Sequence, residues 1–152
     1  MRTRIFSIYV LAAFLLVGCA DLVGSNSDPV KEETYVYTAY DSTGTAIVEG
    51  ELDVTFEKAE DDDNRFHLEG TWDLQQVGDT KRPIGKQTGK GELRGNVRED
   101  GRAWINLDPN IEDDNVTLRG EFERESLDRL QGEWSYMSWA RLNGGQFEVE
   151  AK

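Results

Sequence analysis

Leu68-Glu69-Gly70-Thr71-Trp72 most narrows what this chain can fold into, because its pattern returns four more times. The copies are Val48-Glu49-Gly50-Glu51-Leu52, Leu93-Arg94-Gly95-Asn96-Val97, Leu118-Arg119-Gly120-Glu121-Phe122 and Leu130-Gln131-Gly132-Glu133-Trp134. Each reads apolar, polar, Gly, polar, apolar. That is a period of two, and it predicts a strand with one dry face on which the Gly falls. Repeated on one parity, the word predicts antiparallel strands that turn a Gly toward a shared interior.

Flanking segments extend the pattern. Thr34 to Tyr40 is β-branched and aromatic, and from Ala46 to Phe56 the even positions are apolar or Gly. Dry faces follow at Phe66, Leu68, Gly70, Trp72 and Leu74, then at Gly89, Gly91, Leu93, Gly95 and Val97. Ala103, Ile105 and Leu107 form the next, and Val116, Leu118, Gly120 and Phe122 the one after. Leu130, Gly132, Trp134 and Tyr136 follow, and Phe147, Val149 and Ala151 close the series after an Asn143-Gly144-Gly145 turn. Turn signals separate the strands at Asp41-Ser42-Thr43-Gly44, Glu60 to Asn64, Gly78 to Gly85, Glu99-Asp100-Gly101-Arg102, Asp108-Pro109-Asn110 and Glu125 to Asp128. No stretch carries a helical period.

Eight strands at short spacing in one meander would leave two bare edges, and closure removes both. The expected fold is all-β: an eight-stranded antiparallel up-and-down barrel, with a two-sheet sandwich as the alternative. The domain is expected over residues 34–152, about 120 residues, a normal size for one core.

The start of the chain gives an address. Arg2 and Arg4 precede an apolar run from Tyr9 to Val17, closed by Gly18-Cys19. A basic start, a short apolar run and small residues describe a secretory signal over residues 1–18. The run is too short to span a bilayer, which needs about 20 apolar residues. Leu16-Val17-Gly18-Cys19 resembles the lipobox of bacterial lipoproteins. The resemblance implies cleavage before Cys19, acylation of its sulfur and new amino terminus, and a membrane-anchored envelope protein. Ala20 stands where an Asp would resemble the inner-membrane retention signal, so the outer membrane is implied. Residues 19–33 are expected to be the lipidated Cys and a flexible tether. Cys19 is the sole cysteine, so no intrachain disulfide can form and the fold must hold by packing.

Charge narrows the partners. The formal net charge is −13, from 30 Asp plus Glu against 17 Lys plus Arg. Loss of residues 1–18, which carry two arginines and no acid, makes it −15. Such a surface repels nucleic acid, so no nucleic-acid partner is expected. The acids fit either life in high salt or an ordinary solubility device.

The signal, the strand meander and the Gly-x-Trp words at Gly70-Thr71-Trp72 and Gly132-Glu133-Trp134 resemble the calycin group of lipocalins and avidin-like barrels. In lipocalins that word sits on the first barrel strand, whereas here it falls on the third and seventh. The resemblance implies an eight-stranded barrel around a small-ligand space and transfers no ligand residue.

Little catalytic chemistry is visible. His67, the only histidine, lies on the wet parity, so neither a zinc site nor a serine triad has its parts. No cofactor or enzymatic activity is expected. The loop from Asp108 carries oxygen ligands at alternate positions (Asp108, Asn110, Glu112, Asp114), but Asp113 and Arg119 stand where a calcium-binding EF-hand needs Gly and Glu. It reads as a solvated turn with weak cation affinity. The aromatics lead further: Tyr35, Tyr37, Trp72, Phe122, Trp134, Tyr136 and Phe147 are expected to fill the core or line a ligand space. Trp104 and Trp139 fall off the dry parity, where an exposed ring would mark a contact surface for another envelope protein or a glycan. Two functions follow: a non-enzymatic envelope module acting through its outer face and loops, or a carrier of a small hydrophobic ligand.

Overall fold

The computed structural model describes residues 31–60, 64–111, 114–123, 126–138 and 141–152. The expected signal peptide, Cys19, the part of the expected tether up to residue 30, Asp61 to Asp63, Glu112 and Trp139 lie outside the described residues.

The strands are β1 (Lys31–Tyr40), β2 (Ala46–Lys58), β3 (Arg65–Gln76), β4 (Gly89–Arg98), β5 (Arg102–Leu107), β6 (Asp114–Phe122), β7 (Arg129–Ser138) and β8 (Arg141–Ala151). Each pairs antiparallel with the next, and β8 returns to β1 through Tyr35↔Ala151, Tyr37↔Val149 and Ala39↔Phe147. The sheet is a closed up-and-down barrel of eight strands. The sandwich is excluded by the β1–β8 pairing.

The alternation holds along every strand. Leu52, Val54 and Phe56 are buried on β2, Leu68, Trp72 and Leu74 on β3, and Val116, Leu118 and Phe122 on β6. Their neighbours Glu51, Asp53, Glu57, Glu69 and Asp73 are charged, and most are exposed. Apolar inside and charged outside is the reverse of a barrel that faces lipid.

Two expected boundaries move. β1 begins at Lys31, because Lys31, Glu32 and Glu33 continue the ladder opposite Phe56, Thr55 and Val54. Asn143-Gly144-Gly145 is not a turn but lies inside β8, whose pairing with β7 runs out to Ser138↔Arg141. Packing overrides the turn chemistry there: a Cβ at Gly145 would stand 2.0 Å from the Tyr40 carbonyl oxygen. Phe66 keeps inward parity yet is 37% exposed, because it is the second residue of β3 and sits at the barrel rim.

The word glycines now have a cause. A Cβ at Gly70 would lie 1.9 Å from the Asp53 carbonyl oxygen, and one at Gly132 2.0 Å from that of Arg119. These glycines let neighbouring strands coil past one another at a distance no side chain permits. Room for an indole is made elsewhere, at Gly91 beside Trp72 and at Gly145 beside Trp134.

Candidate functional site

Side chains occupy the barrel interior. Trp72, Phe122, Trp134, Tyr136 and Phe147 are all 8% exposed or less and join one core cluster with Tyr35, Tyr37 and Phe56. Ring centroids lie 6.4 Å apart for Tyr35–Phe56, 6.2 Å for Phe56–Phe122 and 6.1 Å for Tyr37–Phe147, distances at which aromatic pairs attract. The polar handles are spent on the protein. Trp134 Nε1 donates to the Tyr40 carbonyl at 2.8 Å and Trp72 Nε1 to the Glu92 carbonyl at 3.1 Å. The Tyr35 hydroxyl donates to the Leu127 carbonyl and the Tyr136 hydroxyl to Asp114 Oδ1.

The β3–β4 loop closes one end. Ile84 and Gln87 are buried there, and Gln87 is the buried polar side chain among the described residues. Its Oε1 accepts the Tyr37 hydroxyl at 2.7 Å while its Nε2 donates to the Ile84 carbonyl at 2.7 Å. Asn143 Nδ2 donates to the Pro83 carbonyl and fastens the loop to β8. Burial pushes the Tyr37 hydroxyl well above the usual tyrosine range. Tyr35 moves the same way, mainly by burial and further through the charges of Glu33 and Asp128.

The opposite end receives the start of β1 and the end of β8, and it carries an open cleft of about 600 Å³. Phe66, Val97, Phe122 and Leu127 give it apolar walls, and Arg98, Ser126 and the carboxylates Glu99, Asp100 and Glu123 line it as well.

On the outer face of β2 and β3, Glu51 stands directly opposite Asp73, and they pair with Lys152 and Lys90 respectively. Across β4, β5 and β6 arginines and carboxylates mix around Trp104, which is 41% exposed. The ladder sets Trp104 between Asn96 and Arg119. Arg102 and Asn106 flank it along β5, and Arg94, Arg98, Thr117 and Glu121 occupy its diagonals. Carboxylates stand beside these arginines: Glu121 is opposite Arg102, and Glu133 is opposite Arg119 in the β6–β7 ladder. Arg94 pairs with Glu69 at 3.4 Å and Arg102 with Asp100. Arg98 and Arg119 form no ion pair among the described residues. A surface cleft of about 350 Å³ runs beside the ring between Arg65, Asn96, Arg98 and Arg102.

Of the expected cation loop, Glu112 lies outside the described residues, and the other three each have a partner. Asp108 faces Lys86 at 3.8 Å, Asn110 reaches Glu92, and Asp114 takes the Tyr136 hydroxyl. Asp108 has a φ of 74°, which Asp tolerates, and its carbonyl accepts from Ile111 N to close a tight turn. Among the described residues no group of three or more His, Cys, Asp and Glu is placed to hold a metal. His67 is exposed, with Nδ1 3.0 Å from Asn96 Oδ1.

Sequence reasoning found the interior set but missed Gln87, which sits in a Gly- and Pro-marked loop with nothing to distinguish it from Lys86 or Thr88. It flagged Trp104 without its arginine frame. That frame was readable from Arg94, Arg98, Arg102 and Arg119 once hairpin registers were assumed. Comparison of the chain with protein-family models, with curated proteins and with solved structures returned no match in any of the three.

Proposed function

We propose that the protein is a lipid-anchored, non-enzymatic module of the cell envelope, whose barrel is a packed scaffold and whose outer face and loops make its contacts. One observation carries the reading: the inward positions are taken by side chains whose polar atoms already bond within the chain. A carrier needs apolar space together with a few polar groups free to orient its ligand. The anchor rests on the resemblance of Leu16 to Cys19 to a lipobox, with the outer membrane as the address that Ala20 favours.

The second reading, a small apolar ligand held as in a calycin barrel, draws support from the cleft at the open rim between Phe66, Phe122 and Leu127. Thermal unfolding with and without a saturating long-chain fatty acid separates the two. A packed scaffold gives the same midpoint in both. A saturable rise in midpoint, which only binding to the folded state produces, would favour the carrier.

A further inference from the structure

We propose that the edge of β8 from Leu142 to Gln146 takes an extended, uncharged segment of a partner protein as an added strand; this rests on the outer-face reading above and names the kind of partner. β8 pairs with β7 from Arg141 onward, but its pairing with β1 begins only at Phe147. β1 turns away at Tyr40, whose carbonyl accepts Trp134 Nε1. Residues 141–146 therefore form a sheet edge in an otherwise closed barrel. At the far end of the strand, Ala151 N donates to the Asp128 carbonyl on the β7 side and Lys152 N to the Thr34 carbonyl on the β1 side. In an antiparallel ladder these directions alternate residue by residue, so the even residues of β8 bond toward β1. Leu142 and Gly144 thus turn N–H and C=O to a side where β1 supplies no ladder partner. Such a row of backbone groups is a template for another strand.

The side chains around the edge define what can lie on it. Sheet edges are ordinarily guarded by charge, proline or a bulge. Here Met137 and Leu142 stand opposite each other, 64% and 75% exposed, with Asn115 beside Met137 on β6. The next outward row is Thr117, Ser135 and Gly144. These six carry no charge, and on β6 they are bounded by Asp114 and Arg119. Along and opposite this stretch of β8 the charged residues are Arg141 at its start, Glu133 opposite Gln146, and Glu148 beyond it. An uncharged segment that lays an apolar side chain over Leu142 matches this ground. Size separates such a segment from a second copy. Five residues at about 3.4 Å each make an edge roughly 17 Å long, the length of one short strand. A stable dimer needs about 800 Å² from each partner, far more than this edge offers. A second copy would also set a formal charge of −13 against −13.

The test is a nuclear magnetic resonance titration of the full, isotope-labelled protein, extracted from its membranes in a non-ionic detergent. The probes are the capped peptide Thr-Val-Thr-Val-Thr and the same peptide with every backbone amide N-methylated, which keeps the side chains and removes the donors. The first should shift the Leu142 and Gly144 amides saturably and slow their hydrogen exchange at least about tenfold, and the second should do neither. Leu142→Lys should weaken the first peptide at least about tenfold. Leu142→Pro removes an edge-facing donor and none of the β7 ladder, so it should abolish binding. Neither variant should move the unfolding midpoint, and Leu142→Lys decides alone if Leu142→Pro fails to fold. Absence of shifts at the edge, equal binding of the two peptides, or variants that bind like the wild type overturns the proposal. So does self-association in sedimentation that Leu142→Lys abolishes, which would make the edge a contact between copies. None of these outcomes touches the packed-scaffold reading, which fails only on finding an apolar ligand.

Discussion

Trp72 stands directly opposite Gly91 in the β3–β4 ladder, and a methyl group at Gly91 would lie 2.4 Å from the indole Cζ2. The small residue on one strand is the seat of the large one on the next. Such a pair leaves no space between strands, and it is repeated where Trp134 faces Gly145.

Gly91→Ala is expected to cost about 1–3 kcal/mol, because the ring must leave its rotamer or the strands must part. Trp72→Ala should cost about 3–5 kcal/mol by leaving a void in the core. Denaturant unfolding of both variants checks this. If either unfolds at the wild-type midpoint, the interior is looser than described.

Gly70→Ala tests the other class of glycine. Its methyl would meet backbone, the Asp53 carbonyl at 1.9 Å, which cannot rotate away. The loss should exceed that of Gly91→Ala, where a side chain can yield. The order of the two midpoints is the readout, and the reverse order contradicts the assignment.

These glycines mark what was legible in advance. The recurring word announced strands, parity and closure, because a dry face with period two has few other uses. It could not say what each Gly touches, since that depends on register between neighbouring strands. Asn143-Gly144-Gly145 misled for the same reason: turn propensity is local, whereas Gly145 answers to Tyr40, which lies far away in sequence. Gln87 was illegible because its role exists only once the β3–β4 loop folds over Tyr37. Trp104 was legible as an outward ring, whereas its neighbours across the sheet, Asn96 and Arg119, follow only from the registers of β4, β5 and β6.

Tyr37→Phe removes the hydroxyl that Gln87 accepts and leaves a buried amide oxygen unpaired, at about 1–3 kcal/mol near neutral pH. The hydroxyl also sets a pH dependence. Its folded pKa is raised above the ordinary value of 10.0, so the neutral form is the native one. The stability it supports is fully present below about pH 10 and is lost as pH rises further, by about 1.4 kcal/mol per unit until the folded pKa is reached. Chemical denaturation between pH 8 and 11 should show a shallower decline in Tyr37→Phe. Parallel declines would mean that Tyr37 is not buried.

Salt should stabilise the protein. Glu51 and Asp73 stand directly opposite in the β2–β3 ladder, offset by Lys152 and Lys90, and the formal charge of −13 adds a general repulsion. Raising sodium chloride from about 0.02 to 0.5 M shortens the screening length and should raise the melting temperature by on the order of 5 °C. A fall would show that the attractive surface pairs, such as Lys90–Asp73, outweigh the repulsion.

Cys19→Ala should move the protein from the membrane fraction to the soluble fraction and remove its acyl mass. Retention in the membrane would place the attachment elsewhere in the chain.

Native mass spectrometry of the intact protein, released gently from its own membranes and then incubated with their total lipid extract, tests the packed scaffold most directly. The account predicts the mass of the acylated chain alone, unchanged by the incubation. A reproducible added mass that departs on denaturation would contradict it and identify a carried ligand.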